Sequence, residues 1–228
     1  MDIAVLGAGT MGRAMAALFT RHGHRVVLGT RSAAPSLAIA TILGPVEARS
    51  YHAAVRAAEL VVLTTPWKLT EAAVTAARPF EGRALIDCTN PEGDDGRSLA
   101  VGLATSGAEQ IAAWAGDARV VKAFNHVYAE VLSSPEAMRE APTLFLASDD
   151  APAKRTVTRL TRALGFDPVD AGSLASARYL EPLAMLMVEL VRGQGFGPAD
   201  ITLQLRRSAA LRDDVQQPGD VGLVARET

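Results

Sequence analysis

Gly7-Ala8-Gly9-Thr10-Met11-Gly12 is the stretch that decides the fold. Its spacing, G-x-G-x-x-G, carries little weight alone. Its setting carries more. An apolar run, Ile3–Leu6, precedes it, and an Ala-rich amphipathic stretch, Met11–His22, follows. A strand that turns on glycines into a helix is what a dinucleotide diphosphate needs. Gly7 permits the tight turn, Gly9 lets the backbone approach the diphosphate, and Gly12 lets helix pack on strand. The free N–H groups of Thr10 and Met11 then face the anion at the positive helix end.

Downstream, the next apolar run ends Val26-Val27-Leu28-Gly29-Thr30-Arg31-Ser32. A fold selective for NAD(H) places Asp or Glu here to hold the ribose 2′-hydroxyl. None is present. Thr30, Arg31 and Ser32 offer hydroxyls and a guanidinium instead, which suit a 2′-phosphate. The reading is NADP(H) over NAD(H).

Further apolar runs lie at Leu60–Thr64, Ala84–Asp87, Val120–Ala123, Thr143–Ala147 and, more weakly, Phe166–Val169. They lack inside–outside alternation, as strands covered on both faces do. Helical stretches separate them: Tyr51–Ala58, Leu69–Ala77, Gly107–Trp114 and Ala151–Leu164. The alternation predicts an α/β fold, a Rossmann-type doubly wound parallel sheet over residues 1–171. Pro91–Gly107 reads as a polar surface loop. A small C-terminal helical subdomain over 172–211 is expected to carry the second-substrate site and a dimer contact. It would hold a long helix, Leu174–Arg192, broken or bent at Pro182, and a shorter one, Ala199–Leu211. Residues 212–228 read as a frayed tail.

Ligands of open α/β sheets sit beyond the carboxyl ends of the strands. Thr65-Pro66-Trp67 follows the third run; Pro66 stops the strand and Trp67 can wall a pocket. Asn90 follows the fourth and offers donors and acceptors, or simply an Asx-Pro turn. Ala123, Asn125 and His126 follow the fifth. His126 is a candidate proton donor, although a core or surface histidine is the more ordinary role. Cys88 reads as buried.

Hydrophobic residues make up 49% of the 228, enough for a full core, and 23 basic residues nearly balance 25 acidic ones. That balance gives no nucleic-acid or polyanion footprint. One cysteine excludes an internal disulfide, and no metal-type Cys/His cluster exists. There is neither a secretory leader nor an apolar run of about 18 residues, so a soluble cytoplasmic protein is expected, with no membrane partner. No Tyr has Lys four positions on, which argues against short-chain dehydrogenases. No acid–base pair is visible, which fits hydride exchange between two aligned rings.

Taken together, Ile3–Gly12, Gly29–Ser32, Thr65–Trp67, Asp87–Pro91 and above all Val120-Val121-Lys122-Ala123-Phe124-Asn125 resemble the NADPH-dependent deazaflavin (coenzyme F-420) reductases and the oxidoreductase domain of the STEAP metalloreductases. Ala177–Leu183 and Gly193-Gln194-Gly195 are similar to bacterial members. The resemblance implies NADP(H) contacts at Gly9–Gly12, Thr30–Ser32, Thr65–Pro66 and Ala123–Asn125. It implies a deazaflavin or flavin ring stacked on the nicotinamide beside Asn125, Arg178 and the C-terminal helix, and a homodimer through that helix. The chain departs from archaeal members, which tend to carry His at Asn125 and hydroxyl residues at Pro182 and Ala184. The second substrate is therefore open: a deazaflavin; a flavin, ferric chelate, small imine or enone; or none, in a redox-sensing NADP(H) module. Tentative catalytic residues are Asn125 and His126, and the second-substrate residues are Trp67, Asn125 and Arg178.

Overall fold

In the computed structural model, the structure describes residues 1–31, 46–133 and 138–206. Strands β1 (Asp2–Leu6), β2 (Arg25–Thr30), β3 (Glu47–Ser50), β4 (Leu60–Leu63), β5 (Ala84–Asp87) and β6 (Arg119–Lys122) form one parallel sheet in the order β3-β2-β1-β4-β5-β6. β7 (Thr143–Leu146) and β8 (Asp167–Asp170) pair in parallel beside it. An antiparallel bridge, Lys122 to Ala147, joins β7 to β6. Reversal at that seam puts Thr143, the start of β7, on the same side as the ends of β1–β6.

Helices cover both faces: α1 (Thr10–Arg21), α2 (Tyr51–Arg56), α3 (Trp67–Ala77), α4 (Gly107–Ala115), α5 (Ala129–Ser133), α6 (Ala151–Ala163) and α7 (Ala177–Gln194). The continuous apolar runs of β1 and β4 are explained by this layering. Ile3, Val5 and Val62 face one core with Leu18 and Phe19, while Ala4, Leu6 and Leu63 face the other with Val74 and Ile111. At about 25 cal/mol per Å2 of apolar area buried, each such side chain contributes about 1.5–3 kcal/mol against its exposed state.

The sequence reading needs correction at four places. β3 was not expected; its Glu-Ala-Arg-Ser sequence lacks an apolar signal because it is an edge strand with partly open faces. α7 is continuous through Pro182 and starts at Ala177, after a 3-10 turn at Leu174–Ser176. Its left-handed end at Gly195 confirms the glycine stop. Residues 201–206 are not helical, against the expected helix Ala199–Leu211. They lie along β7, where Thr143 N–H donates to Leu203 O (2.9 Å) and Leu205 N–H to Thr143 Oγ1 (2.8 Å). The remainder of that expected helix and the tail 212–228 lie outside the described residues. Finally, the β5–α4 loop is more than surface: Gly93 N–H donates to Ser98 O (2.8 Å), and Glu92 and Gly93 reach a cavity wall.

Candidate functional site

The glycine turn after β1 is tight by construction. Gly7 has φ of +117°, and a Cβ on Gly12 would stand 1.9 Å from the Gly7 carbonyl oxygen. No side chain caps α1, and its first turn holds no acidic residue. Its first N–H groups therefore have no partner within the helix. A Cβ on Gly9 would meet nothing within 4 Å. Open backbone donors at a positive helix end fit a diphosphate.

Beside the end of β2, Thr30 and Arg31 line a depression of about 370 Å3 with Ser50, Tyr51 and His52. Among the described residues no carboxylate lines it. Ser32, expected here, lies outside the described residues. Ser50, Tyr51 and His52 were missed because Ser50 ends the unpredicted β3 and the other two follow it. A serine that caps α2, by accepting from Ala53 N–H (3.4 Å), was the available signal.

The main cavity, about 560 Å3, lies beyond the ends of β1, β4, β5 and β6, under α7. It brings together Gly9, Thr10, Met11, Thr65, Pro66, Trp67, Asn90, Asn125 and His126, residues 117 positions apart at the extremes, as the sequence reading expected of strand ends. Gly7 and Gly12 form the turn behind its wall, and Ala123 is fully buried in the core. The side of α7 presents Ala184, Met187 and Val188. Trp67 leans on Trp114, with ring centroids 5.4 Å apart, so its position is fixed by packing.

Asn125 ties three elements together. Its Nδ2 donates to Asn90 Oδ1 (3.0 Å) and to Leu180 O on α7 (2.8 Å), and Asn90 Nδ2 donates to Asn125 O (2.8 Å). The Leu180 carbonyl can only accept, which fixes the amide orientation. Both Nδ2 protons are used, and Asn125 Oδ1, an acceptor, lies 3.5 Å from His126 Nδ1. Phe124 before it holds φ of +63°, the left-handed turn that aims Asn125 inward.

His126 is 4% exposed, and its Nε2 lies 3.2 Å from Thr143 O. Its Nδ1 lies 3.5 Å from another acceptor, Asn125 Oδ1, and the shorter contact favours the proton on Nε2. Burial pushes the imidazole pKa down, so the ring is neutral and Nδ1 bears a lone pair. His126 thus has no proton to offer the cavity. The Tyr128 hydroxyl is likewise engaged, donating to Met187 O (3.1 Å), and burial raises its pKa. Burial also pushes the Cys88 thiol well up.

Behind this wall lies a buried charge network that sequence reasoning missed. Lys122 Nζ reaches Asp87 Oδ2 (2.9 Å), Glu181 Oε1 (2.9 Å) and Thr89 O (2.6 Å), and all three charged groups are at most 1% exposed. Burial opposes the ammonium charge, but Asp87 and Glu181 outweigh it and raise the Lys122 pKa. Glu181 also accepts from Gly107 N–H (2.9 Å) and Ala108 N–H (3.1 Å), at the start of α4. Two carboxylates are thereby balanced by one ammonium and one helix N-terminus. Charged residues inside apolar runs (Lys122 after Val120-Val121, Glu181 after Leu180) were the signal.

Arg178, expected beside the second substrate, is not among the cavity-lining residues. Glu109 holds it in a two-pronged ion pair, at 2.9 and 2.6 Å, which brings the Glu109 carboxyl to about 2. The pair docks α7 on α4. Among the described residues no group of three His, Cys, Asp or Glu could hold a metal, and no helix is long and apolar enough to cross a membrane.

Residues 2–91 match the family described as NADP oxidoreductase, coenzyme F420-dependent. A solved structure assigned as an F420-dependent NADP-reductase of an Arthrobacter species superimposes with a TM-score of 0.83 at 32% identity, over 91% of this chain and 100% of that one. Metalloreductase STEAP3 of Rattus norvegicus is 28% identical over 186 residues, and metalloreductase STEAP2 of Homo sapiens is 28% identical over 203. These cover 82% and 85% of this chain but only 37% and 38% of the metalloreductases, so the chain spans under two-fifths of their length. With its glycine turn, its carboxylate-free β2 end and its full-length structural match, the chain belongs to the coenzyme F420-dependent NADP oxidoreductase family.

Proposed function

We propose that this protein transfers hydride between NADP(H) and a planar deazaflavin ring, the ring system of coenzyme F-420. The observation that carries the reading is the state of the protons. An imine or carbonyl acceptor needs a positioned acid, yet His126 and Tyr128 both serve protein carbonyls and the lining ammonium Lys68 is paired with Asp94. A deazaflavin needs none: hydride passes from nicotinamide C4 to deazaflavin C5, and the ring nitrogen takes its proton from water. The residues present fit the cofactor. The start of α1 would take the diphosphate, Thr30 and Arg31 would take the 2′-phosphate, and Asn125 would face the nicotinamide. Thr64, Thr65 and Pro66 would flank the ribose, and Ala184, Met187 and Val188 would cover the second ring. The protein's contribution is alignment of two rings in a largely apolar space.

The same reading makes the protein a homodimer. Tyr179 and Leu186 stand two turns apart on α7, 78% and 55% exposed, and form an apolar face suited to a second copy. The test of function is anaerobic: protein, NADPH and a 5-deazaflavin are mixed and the deazaflavin absorbance is followed. Bleaching with stoichiometric NADPH loss is expected. No turnover with any deazaflavin overturns the proposal.

A further inference from the structure

Thr89 lines the main cavity and is tied to the buried charge network by every polar group it has. Its N–H and its hydroxyl both donate to Asp87 Oδ1 (2.8 Å each), and its carbonyl accepts from Lys122 Nζ (2.6 Å). The other carboxylate oxygen of Asp87 is held by Lys122 at 2.9 Å. A carboxylate only accepts, so the Thr89 hydroxyl proton is committed behind the wall. What Thr89 can offer the cavity is a hydroxyl oxygen whose lone pairs await a donor. Two other lining hydroxyls serve the frame: Thr64 donates to Leu6 O (3.1 Å) at the end of β1, and Tyr128 to Met187 O (3.1 Å) on α7.

The sheet order says which part of the cofactor comes here. The carboxylate-free depression is at the end of β2 and the glycine turn at the end of β1. The order continues with β4 and β5. A dinucleotide laid across these ends would bring its ribose to the end of β4 and its nicotinamide to the end of β5. Thr89 is the second residue past β5. The nicotinamide ring carries one N–H donor group, the amide of its carboxamide. We infer that Thr89 Oγ1 accepts a hydrogen bond from that carboxamide, and that Asp87, by holding the Thr89 proton, makes the hydroxyl an acceptor. The inference rests on the proposed reading of this cavity as the NADP(H) site. A ring turned over about its glycosidic bond carries the carboxamide away from Thr89. This bond therefore selects the face of nicotinamide C4 that meets the second ring. The Asp87–Lys122–Glu181 set thus orients the cofactor as well as docking α7.

Calorimetric titration with three ligands tests it without turnover: NADPH, its 3-acetylpyridine analogue, in which a methyl group replaces the amide nitrogen, and 2′-phospho-ADP-ribose, which lacks the ring. T89V keeps the side-chain shape and removes the hydroxyl. It should weaken NADPH by about fivefold, the worth of one neutral hydrogen bond, and leave the other two ligands within about twofold. T89S restores the acceptor and should bind all three as the wild type does. Equal weakening of NADPH and the acetyl analogue, unchanged NADPH affinity in T89V, or a T89S as weak as T89V overturns the inference. If T89V does not fold, the wild-type protein supplies the second measurement. The acetyl analogue should bind it about fivefold more weakly than NADPH, and equal binding overturns the inference. Deazaflavin reduction by the wild type keeps the two readings apart. Turnover without the expected T89V pattern overturns this inference alone. The expected pattern without turnover of any deazaflavin overturns the ring-acceptor reading alone.

Discussion

The glycine turn after β1 and the wall beneath α7 face each other across one cavity, but they are built at different ranges. The turn is complete within six consecutive residues, and its donors are backbone N–H groups. The opposite wall joins Asp87, Lys122, Asn125 and Glu181, which come from β5, from the end of β6 and from α7. One side binds with backbone that any homologous strand–turn–helix would supply. The other depends on side chains that are correct only as a set. The difference teaches where tolerance to mutation should lie: the turn is intolerant of volume, the wall of unbalanced charge.

The largest effect is expected at the wall. Lys122→Met leaves Asp87 and Glu181 buried without their cation, and breaking such a pair costs about 3–5 kcal/mol. Urea unfolding checks this. If the variant does not fold, Glu181→Gln is the milder probe. It keeps the shape, leaves Lys122 paired with Asp87, and should raise KM for the acceptor while NADPH affinity stays within about twofold. Equal weakening of both would mean that the network supports the whole sheet edge and not the α7 wall.

Next comes the turn. Gly12→Ala forces a methyl group into the Gly7 carbonyl. Overpacking of this kind costs about 1–3 kcal/mol, and here it also displaces the donors at the start of α1. NADPH binding, by fluorescence titration, should weaken with stability. Unchanged binding would break the contrast, since the turn would then tolerate volume.

These two regions also differ in how legible they were. Strand ends, the glycine turn and the absence of an acidic residue after Leu28 follow from local patterns, so the sheet and the nicotinamide side could be read directly. β3 could not, because an edge strand with mixed exposure lacks the apolar run on which the reading relied. Arg178 was placed at the second substrate because its neighbours resembled a known helix, but Glu109, 69 residues away, holds it elsewhere. The Asp87–Lys122–Glu181 set was visible only as charges in apolar runs. Which charge meets which is decided by the crossing of α7 over the sheet, a tertiary fact without local signature.

A third, smaller effect sharpens cofactor choice. Arg31→Ala should weaken NADPH by about 1.5–3 kcal/mol, the worth of a charge-assisted bond, and leave NADH almost untouched. Isothermal titration with both cofactors separates the outcomes. Equal loss would assign the 2′-phosphate to other groups in the depression, Ser50 or His52.

The smallest effect on rate is expected at His126, which sequence reasoning offered as a proton donor. Both its nitrogens face acceptor oxygens, Nε2 the nearer at 3.2 Å from Thr143 O and Nδ1 at 3.5 Å from Asn125 Oδ1, so its one proton is committed within the protein. His126→Gln can keep a donor toward Thr143, so hydride transfer should change by less than about threefold, against the 100-fold or more expected of a general acid. Stability gives an independent readout. Burial lowers the imidazole pKa below its ordinary value of 6.5. The unfolded chain therefore takes up the proton more readily than the folded one. The stability gained by holding the ring neutral is complete above that value and declines as pH falls below it. His126→Gln should flatten this decline in denaturant titrations between about pH 7 and pH 5. A rate that collapses in the variant, with stability unaltered, would return His126 to the role of acid and with it favour an acceptor that needs one.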